Sequence, residues 1–182
     1  MPASDAPYIG VAERRVEDWR FVTGGGRYID DLSLPGMLHA AFVRSPHPHA
    51  RIRRIDPTSA LAVSGVVAVA TGRDLTQWTR PLTVGIQGVL PMTMTALPVD
   101  TVRFVGDPVA VVVATDRYVA EDGAEQVVVE YAPLRGVVDF AAAVAPGAPL
   151  VDDDLPTNLI CDQHFDYGDV AGAFAAADAT VA

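Results

Sequence analysis

Residues 102–134 constrain the fold more than any other part of the sequence; they read VRFVGDPVAVVVATDRYVAEDGAEQVVVEYAPL. A turn at Gly106-Asp107-Pro108 precedes the uninterrupted apolar run 109–114, which predicts a strand. A second apolar run, VVVEYAPL, predicts another strand that ends at Pro133. With a helix between them, the two runs predict a βαβ unit, whose crossover is right-handed if the strands are parallel.

The segment between these two strands has the pattern of a surface helix. Asp116 is the predicted N-cap, because its carboxylate can accept hydrogen bonds from the first amides of a helix. Apolar or small residues then recur at helical spacing: Val119, Ala120, Gly123, Ala124 and Val127. The acidic residues between them are predicted to face solvent: Glu121, Asp122 and Glu125.

Two further strands are predicted closer to the N-terminus. Residues 37–44 are one, bounded by Pro35-Gly36 and Pro46. The segment ARIRRI is the other, and its alternation places Ile52 and its next-but-one neighbours on one face, opposite Arg51 and Arg53. The sequence therefore predicts a strand with one cationic face.

A strand, helix and strand order appears here too. Asp56 is a predicted N-cap, Pro57 takes the first helical position, and Gly65 closes the turn that follows. Residues 66–71, VVAVAT, predict a buried strand. Residues 76–101 have no strong period and predict a long loop or a meander. Together these elements predict an α+β fold.

The ends of the chain suggest a division into segments. Residues 1–27 predict an extended arm, and residues 28–145 predict the main domain, with a short helix at 139–145. Residues 146–167 are rich in proline and acids and predict a linker. Residues 168–182 predict a helix that starts near Gly168-Asp169, followed by the first residues of a strand at 178–182.

Composition excludes several classes of protein. The formal net charge of −10 argues against a nucleic-acid binder, because a phosphate backbone is held mainly by clustered cations. All 13 cations are arginine, which removes lysine-based mechanisms within this chain. The N-terminus has no signal-like apolar core, and no apolar run reaches the roughly 18 residues that a membrane helix needs. We therefore expect a cytoplasmic protein without a membrane span.

The segment SPHPHA contains the most conspicuous candidate for a metal site. His47 and His49 lie two residues apart, so in an extended segment both side chains could point to one metal ion. However, a zinc site needs three or four ligands, and no other cluster of histidine, cysteine or glutamate lies nearby in sequence. The prolines at 46 and 48 favour a rigid turn, so scaffold is the alternative reading.

The arginines that follow could hold an anion. Arg51, Arg53 and Arg54 are close in sequence, but such side chains more often remain solvated or pair with acids of the same or another chain. We therefore expect pairing at an interface ahead of ligand binding.

The remaining candidates have equally plain alternatives. Gly24-Gly25-Gly26 lacks the lysine and serine or threonine of a phosphate loop and predicts a flexible turn. Asp152-Asp153-Asp154 lacks the spacing of a calcium loop, which favours a solvated linker. Glu17-Asp18 and Asp30-Asp31 are sequence neighbours whose side chains point apart, so acid–base catalysis is not implied. Cys161, the single cysteine, has no base close in sequence and predicts an inert, buried or half-buried thiol.

Taken as a set, these motifs resemble a known family. RRVEDWRFVTGGGRYIDDLSLPGMLHAAFVRSPHPHARIRRID resembles the start of the molybdopterin-binding large subunit of the xanthine dehydrogenase, aldehyde oxidase and carbon monoxide dehydrogenase family. GVVAVATGRDL, residues 102–134 and GDVAGAFAAAD look like the same family in the same order. The resemblance implies an α/β hammerhead domain, followed by a truncated start of the molybdenum-cofactor-binding domain at 168–182.

Three positions depart from the family pattern. Pro48 stands where alanine is usual and should stiffen the turn. Asp107 stands where glutamate is usual. Gly123 stands where alanine is usual, and it should weaken the helix by roughly 0.5–1 kcal/mol.

The resemblance implies a molybdenum hydroxylase. Such enzymes hydroxylate an aldehyde, a purine or an N-heterocycle with oxygen from water, or oxidise CO, at a molybdenum centre bound to a pterin dinucleotide. Electrons leave through iron–sulfur clusters on a small subunit and FAD on a medium subunit, which are the implied partners with the remainder of the large subunit.

No functional residue of the family can be transferred to this sequence. The catalytic glutamate and the loops that hold the pterin lie downstream of the resembling segment in the family, so no catalytic, cofactor-binding or metal-binding role carries over to any position here. We therefore expect this chain alone to be inactive. A stand-alone hammerhead that acts in assembly or binding, without redox activity, is the alternative.

Overall fold

The computed structural model describes residue 10, residues 12–165 and residues 167–181. The described residues divide into two compact units, one up to Met37 and one from Leu38 onward. The first unit contains helix α1 (Asp18–Val22) and a 3₁₀ turn at Ile29–Asp31. Part of the predicted extended arm, residues 1–9 and 11, lies outside the described residues. The prediction is wrong for residues 18–22, which are helical.

The second unit begins with strand β1 (His39–Arg44) and strand β2 (Ala50–Asp56), followed by the short helix α2 (Thr58–Leu61). Strand β3 (Val66–Thr71) and helix α3 (Gly72–Leu75) come next. Residues 76–101 form the predicted meander, which contains β4 (Leu82–Val84) and β5 (Met92–Met94) and leads into β6 (Thr101–Val102).

The central elements follow the sequence closely. Strand β7 (Pro108–Ala114), helix α4 (Arg117–Glu125) and strand β8 (Val128–Pro133) lie where the patterns predict them. Asp116 caps α4, since its Oδ1 accepts hydrogen bonds from the amides of Tyr118 at 2.8 Å and Val119 at 3.4 Å. The three acidic side chains of α4 are exposed, and Ala120, Gly123 and Val127 are buried, so the amphipathic pattern is confirmed.

The βαβ prediction is wrong. Strand β7 lies between β1 and β3 in one three-stranded sheet, here called sheet A, whereas β8 pairs with β2 in another, sheet B, whose order is β6-β2-β8. All strand pairings among the described residues are antiparallel. The local pattern of strand, helix and strand predicts the elements, but it does not specify which strand pairs with which, and here β7 and β8 have different partners.

Two apolar clusters join the sheets. Ala50, Val102 and Val109 form the centre of one cluster, with Ile52, Ile55 and Tyr131 packed against it. Ala60, Val112 and Val127 form the centre of the other, which includes Ala124 of α4. Val43, Ile55 and Val129 contribute to both clusters, so sheets A and B share one continuous core.

Strand β3 and the C-terminal segment differ from their predictions. Residues 66–71 were expected to be buried, but β3 is an edge strand of sheet A, and Val67 is 54% exposed. Helix α5 (Phe140–Ala143) and helix α6 (Val170–Ala175) lie within the predicted helical segments. Residues 178–181, predicted to start a strand, form none in the described part of the chain, because no neighbouring strand supplies a ladder of hydrogen bonds there. None of the helices described is long and apolar enough to cross a membrane.

Candidate functional site

The SPHPHA segment forms a tight connection between β1 and β2. Ser45 is 2% exposed, and its Oγ accepts a hydrogen bond from the amide of His47 at 3.0 Å. Its backbone links to the turn before β7: the Ser45 amide donates to the Asp107 carbonyl at 2.9 Å, and the Gly106 amide donates to the Ser45 carbonyl at 2.8 Å. Two segments about 60 residues apart in sequence are therefore joined through one buried serine.

The two histidines point to different surroundings. The ring of His47 meets Tyr131 edge-on, with 5.1 Å between the ring centroids. His49 is 6% exposed, and its Nδ1 lies 3.4 Å from the carbonyl oxygen of Arg135. Among the described residues, no three histidine, cysteine, aspartate or glutamate side chains are placed to hold one metal ion. The two histidine rings therefore have separate contacts, and the scaffold reading of this segment stays a prediction.

Asp107 is the buried carboxylate of this cluster. It is 8% exposed, and its Oδ2 accepts a hydrogen bond from the amide of Arg103 at 3.0 Å. Burial raises the pKa of Asp107, and the hydrogen bond and charge of Arg103 only partly oppose this effect. Burial also raises the pKa of Tyr131; the hydrogen-bonding influence of Ser45 lowers it and the charge of Asp107 raises it further. We refer to Ser45, Asp107 and Tyr131 as the buried polar cluster; the buried Tyr131 hydroxyl, although near Ser45, makes no hydrogen bond of good geometry within the described part of the chain.

This cluster holds strands together and does not resemble a catalytic site. Ser45, the only hydroxyl nucleophile candidate in the turn, is buried and already hydrogen-bonded to the backbone. A nucleophile needs an adjacent base and access to substrate, and Ser45 lacks that access. Ser45 and Tyr131 are not among the residues predicted from the sequence; the signal available for Ser45 is the polar SPH sequence between two strands.

In β2, Arg51 and Arg54 lie on the same face of sheet B, because their β8 partners Ala132 and Glu130 are two residues apart. A bulge between Ile52 and Arg54 inserts an extra residue, so Ile52 lies opposite Tyr131 and Arg54 lies opposite Glu130. The bulge makes the predicted alternation wrong after Ile52, because it brings Ile55 rather than Arg54 into the core. Arg54 pairs instead with Asp56 at 2.6 Å.

Two arginines form ion pairs with the acidic triple Asp152-Asp153-Asp154. Asp153 pairs with Arg51 at 3.3 Å, and Asp152 pairs with Arg103 at 3.0 Å. The expectation of pairing with acids is therefore met for Arg51. The Asp153 side chain remains 66% exposed and the Asp152 side chain 20% exposed, and the linker reading of the triple stays a prediction. Such partly exposed pairs contribute about 0–1 kcal/mol each, so they position residues 152–153 more than they stabilise the fold.

Arg53 lines a surface cavity of about 290 Å³ together with Arg54 and Arg73. The Arg53 and Arg73 side chains are exposed, and Arg54 is neutralised in part by Asp56. An exposed cationic cavity of this kind is as compatible with solvated charges as with a bound anion, so it defines no ligand.

The other sequence candidates are separate from one another. Asp18 pairs with Arg15 at 3.0 Å, and Asp31 accepts a hydrogen bond from the Tyr28 amide at 2.8 Å. The amides of Gly24 and Gly25 donate to the carbonyls of Phe21 and Arg20, so the three-glycine segment closes the end of α1 as a turn.

Cys161 is exposed, contrary to the prediction of a buried or half-buried thiol. It forms an isolated bridge with Val89 in a segment outside both apolar clusters.

The fold and these contacts define a hammerhead domain, and comparison with known proteins gives the same class. The model of the aldehyde oxidase and xanthine dehydrogenase a/b hammerhead domain matches residues 23–135. The chain therefore belongs to the aldehyde oxidase and xanthine dehydrogenase family. The α+β hammerhead prediction is confirmed.

The similar proteins include the large chain of a carbon monoxide dehydrogenase and a solved Cu,Mo-CO dehydrogenase. The carbon monoxide dehydrogenase large chain of Afipia carboxidovorans is 47% identical over 152 residues, which are 83% of this chain and 18% of that protein. The structure of quinoline 2-oxidoreductase from Pseudomonas putida 86 has a TM-score of 0.75 at 42% identity and matches 82% of this chain and 19% of its own. A Cu,Mo-CO dehydrogenase in its carbon monoxide reduced state has a TM-score of 0.69 at 38% identity, over 93% of this chain and 23% of its own. The chain thus spans about a fifth of each of these relatives.

The described residues do not fit a molybdenum-pterin site by themselves. The cavity beside Asp152 has a volume of about 400 Å³ and is open to solvent. Asp100 and the acidic triple line it together with Arg51 and Arg103, so the carboxylates outnumber the arginines and the net charge opposes phosphate groups. The cationic cavity at Arg53 is smaller and also open. No position here is therefore assigned to the cofactor.

Proposed function

We propose that this chain is the hammerhead portion of the large subunit of a molybdenum hydroxylase, with a scaffold and interface role in it. One observation carries the proposal: the family match over residues 23–135 coincides with the segment that contains both sheets and both apolar clusters. The proposed segments are an arm at 1–27, the hammerhead at 28–145, a linker at 146–167 and the start of a cofactor-binding domain at 168–182.

The reaction of the complete enzyme is an oxidation in which water supplies the oxygen atom and the cofactor accepts the electrons. A substrate C–H bond becomes C–OH, or CO becomes CO₂, with the oxygen taken from water and two protons and two electrons released. A bound molybdenum-pterin dinucleotide supplies this redox chemistry. We place the electron carriers on an iron–sulfur small subunit and an FAD medium subunit, and we propose that the assembly is cytoplasmic.

The proposed role of the residues of this chain is to hold sheets A and B in a fixed arrangement. The Ser45 and Asp107 backbone bonds and the shared core fix sheets A and B against each other, which gives a firm base for neighbouring domains. Functional sites on large enzymes depend on such supporting structure, because small displacements of the surrounding shell reduce activity.

The test is the molybdenum content of the native assembly. The chain is tagged at its N-terminus in the source cells, recovered under mild conditions, and analysed for molybdenum per mole of chain. We expect near-stoichiometric molybdenum together with polypeptide that carries the remainder of the large subunit. Recovery of an isolated 19.2 kDa chain without metal would contradict the proposal and would favour a stand-alone binding or assembly module.

A further inference from the structure

One face of sheet A is covered and the other is open. Val43, Val69 and Val112 belong to the cluster that packs against Ala124 of helix α4. The strand register places Val69 directly opposite Val112, and Val43 opposite Ala110. Because side chains alternate along a strand, the residues between these positions project from the second face of the sheet.

The second face consists of small and apolar side chains. The register pairs Phe42 with Val111 and Ala40 with Val113, and on the other side of β7 it pairs Ala70 with Val111 and Ala68 with Val113. Phe42 is 50% exposed, and Ala40 and Ala68 are also exposed. We call this surface the open face; its six residues are Ala40, Phe42, Ala68, Ala70, Val111 and Val113.

The composition of β7 indicates that the open face is covered in the working protein. Strand β7 is apolar at successive positions from Val109 to Ala114, a pattern typical of strands buried on both faces rather than on one. A contiguous apolar patch of a few hundred Å² is often a functional surface. The nearest charge on β1 is Arg44, which lies at the rim, with its guanidinium 5.6 Å from the Phe42 ring centroid and a hydrogen bond to the Gly106 carbonyl.

The size of the open face argues against a second copy of this chain as its occupant. Three strands spaced by about 4.8 Å and about 20 Å long offer roughly 300 Å² per side. Two such faces would bury roughly 600 Å² in total, about half of the 1,200 Å² at which stable interfaces begin. A segment of the same polypeptide does not lose the translational and rotational freedom that separate partners lose on association, so it can dock on a small face.

We propose that the open face is the docking surface for an apolar element from the remainder of the large subunit. This inference rests on the proposed function, and the relatives' length supports it, because this chain spans only 18% to 23% of the three relatives compared above. The alanines on both edge strands leave room for a backbone to approach beside Phe42. The occupant is therefore an amphipathic helix or strand layer with a narrow apolar stripe.

The test is cysteine accessibility in the assembly. Cys161 is exposed, so Cys161→Ser provides the background, and Ala68→Cys and Phe42→Cys report on the open face. Ala62→Cys is the matched control, an exposed alanine beyond helix α2 and outside the open face. A maleimide labels each variant as the dilute 182-residue chain and as the assembly recovered from source cells through an N-terminal tag, in which molybdenum is also measured.

We expect labelling at 42 and 68 to be at least about tenfold slower in the assembly than in the isolated chain, with a smaller change at 62. Fast labelling at 42 and 68 in a molybdenum-containing assembly overturns the inference and leaves the proposed function intact. Slow labelling of the isolated chain, together with a doubled mass in sedimentation, overturns it in favour of a second copy. An assembly without molybdenum or additional large-subunit polypeptide overturns the proposed function on which the inference rests.

Discussion

Gly123 lies where helix α4 touches sheet A. A Cβ added to Gly123 would lie 2.9 Å from Cγ2 of Val66 and 3.0 Å from Cγ1 of Val112, and both valines are stiff, β-branched side chains. The sequence predicts that alanine at this position would stabilise the helix by roughly 0.5–1 kcal/mol relative to glycine. The packing outweighs this gain, since overpacking a close contact costs about 1–3 kcal/mol.

We therefore expect Gly123→Ala to lower the free energy of unfolding by about 1 kcal/mol in urea denaturation. Val66→Ala should offset part of this loss in the double variant, because it removes the methyl group that the new Cβ meets. A more stable Gly123→Ala protein would show that helix propensity dominates at this position.

The ionisation of Asp107 in the buried polar cluster makes the stability of the fold depend on pH. Its pKa in the folded state is raised by burial, so the folded protein holds this proton more tightly than the unfolded chain does. The contribution of Asp107 is most favourable below the unfolded pKa of 3.8, and it declines as the pH rises through the higher folded pKa.

We expect Asp107→Asn to become more stable relative to the native chain as the pH is raised from about 3.5 to about 7, because the amide avoids burial of a charge and can still accept from the Arg103 amide. Urea denaturation at the two pH values measures the difference. Asp122→Asn, on the exposed side of α4, should show no comparable trend. A relative loss of stability toward neutral pH would indicate that the attraction of Arg103 exceeds the effect of burial.

At the scale of elements, the N-cap residue Asp116 fixes the start of helix α4. Its carboxylate satisfies two amides that would otherwise have no partner in the first turn of the helix. We expect Asp116→Ala to lower the free energy of unfolding by about 1 kcal/mol, within the usual range for loss of an N-cap. Asp122→Ala on the same helix is the control and should change stability little; equal effects of the two variants in urea denaturation would argue against capping.

Strand β2 shows how an element is fitted to the sheet that contains it. Its bulge after Ile52 lets both Ile52 and Ile55 reach the core, although three positions separate them. A regular strand would have directed one of the two to solvent, because side chains alternate with a period of two. The pairing with β8 therefore decides which arginines of this segment are free to form ion pairs.

At the scale of the whole molecule, the fully buried residues lie within a limited part of the chain. In the described part of the chain they fall between Ser45 and Val127. Helix α6 contains no buried residue. We expect deletion of residues 168–182 to change the free energy of unfolding by less than about 0.5 kcal/mol.

Urea denaturation of the shortened chain checks this expectation, with Val112→Ala as a comparison. Val112 is fully buried, so its truncation should cost about 2 kcal/mol through lost apolar burial and the cavity left behind. A comparable loss on deletion of 168–182 would show that the C-terminal segment stabilises the domain.

The amino-acid sequence by itself determined the elements that local chemistry specifies. Helix α4 follows from the Asp116 cap and the spacing of Ala120 and Gly123, and β7 follows from an unbroken apolar run. The family resemblance also came from the residues alone, because several motifs agree in order and spacing. These features depend on neighbours within a few positions along the chain, so their signal is present in the sequence.

Only the tertiary structure decided which elements meet. Strands β7 and β8 belong to different sheets, and a bulge in β2 directs Arg54 outward. Asp152 and Asp153 form ion pairs with arginines about 50 and 100 residues away in sequence. One face of sheet A remains open. Strand pairing and ion pairing across such distances depend on a balance of packing over the whole domain. Local sequence patterns do not specify the pairing partner, because each strand could pair with several apolar strands of similar quality. Only the packing of the complete domain favours one of them.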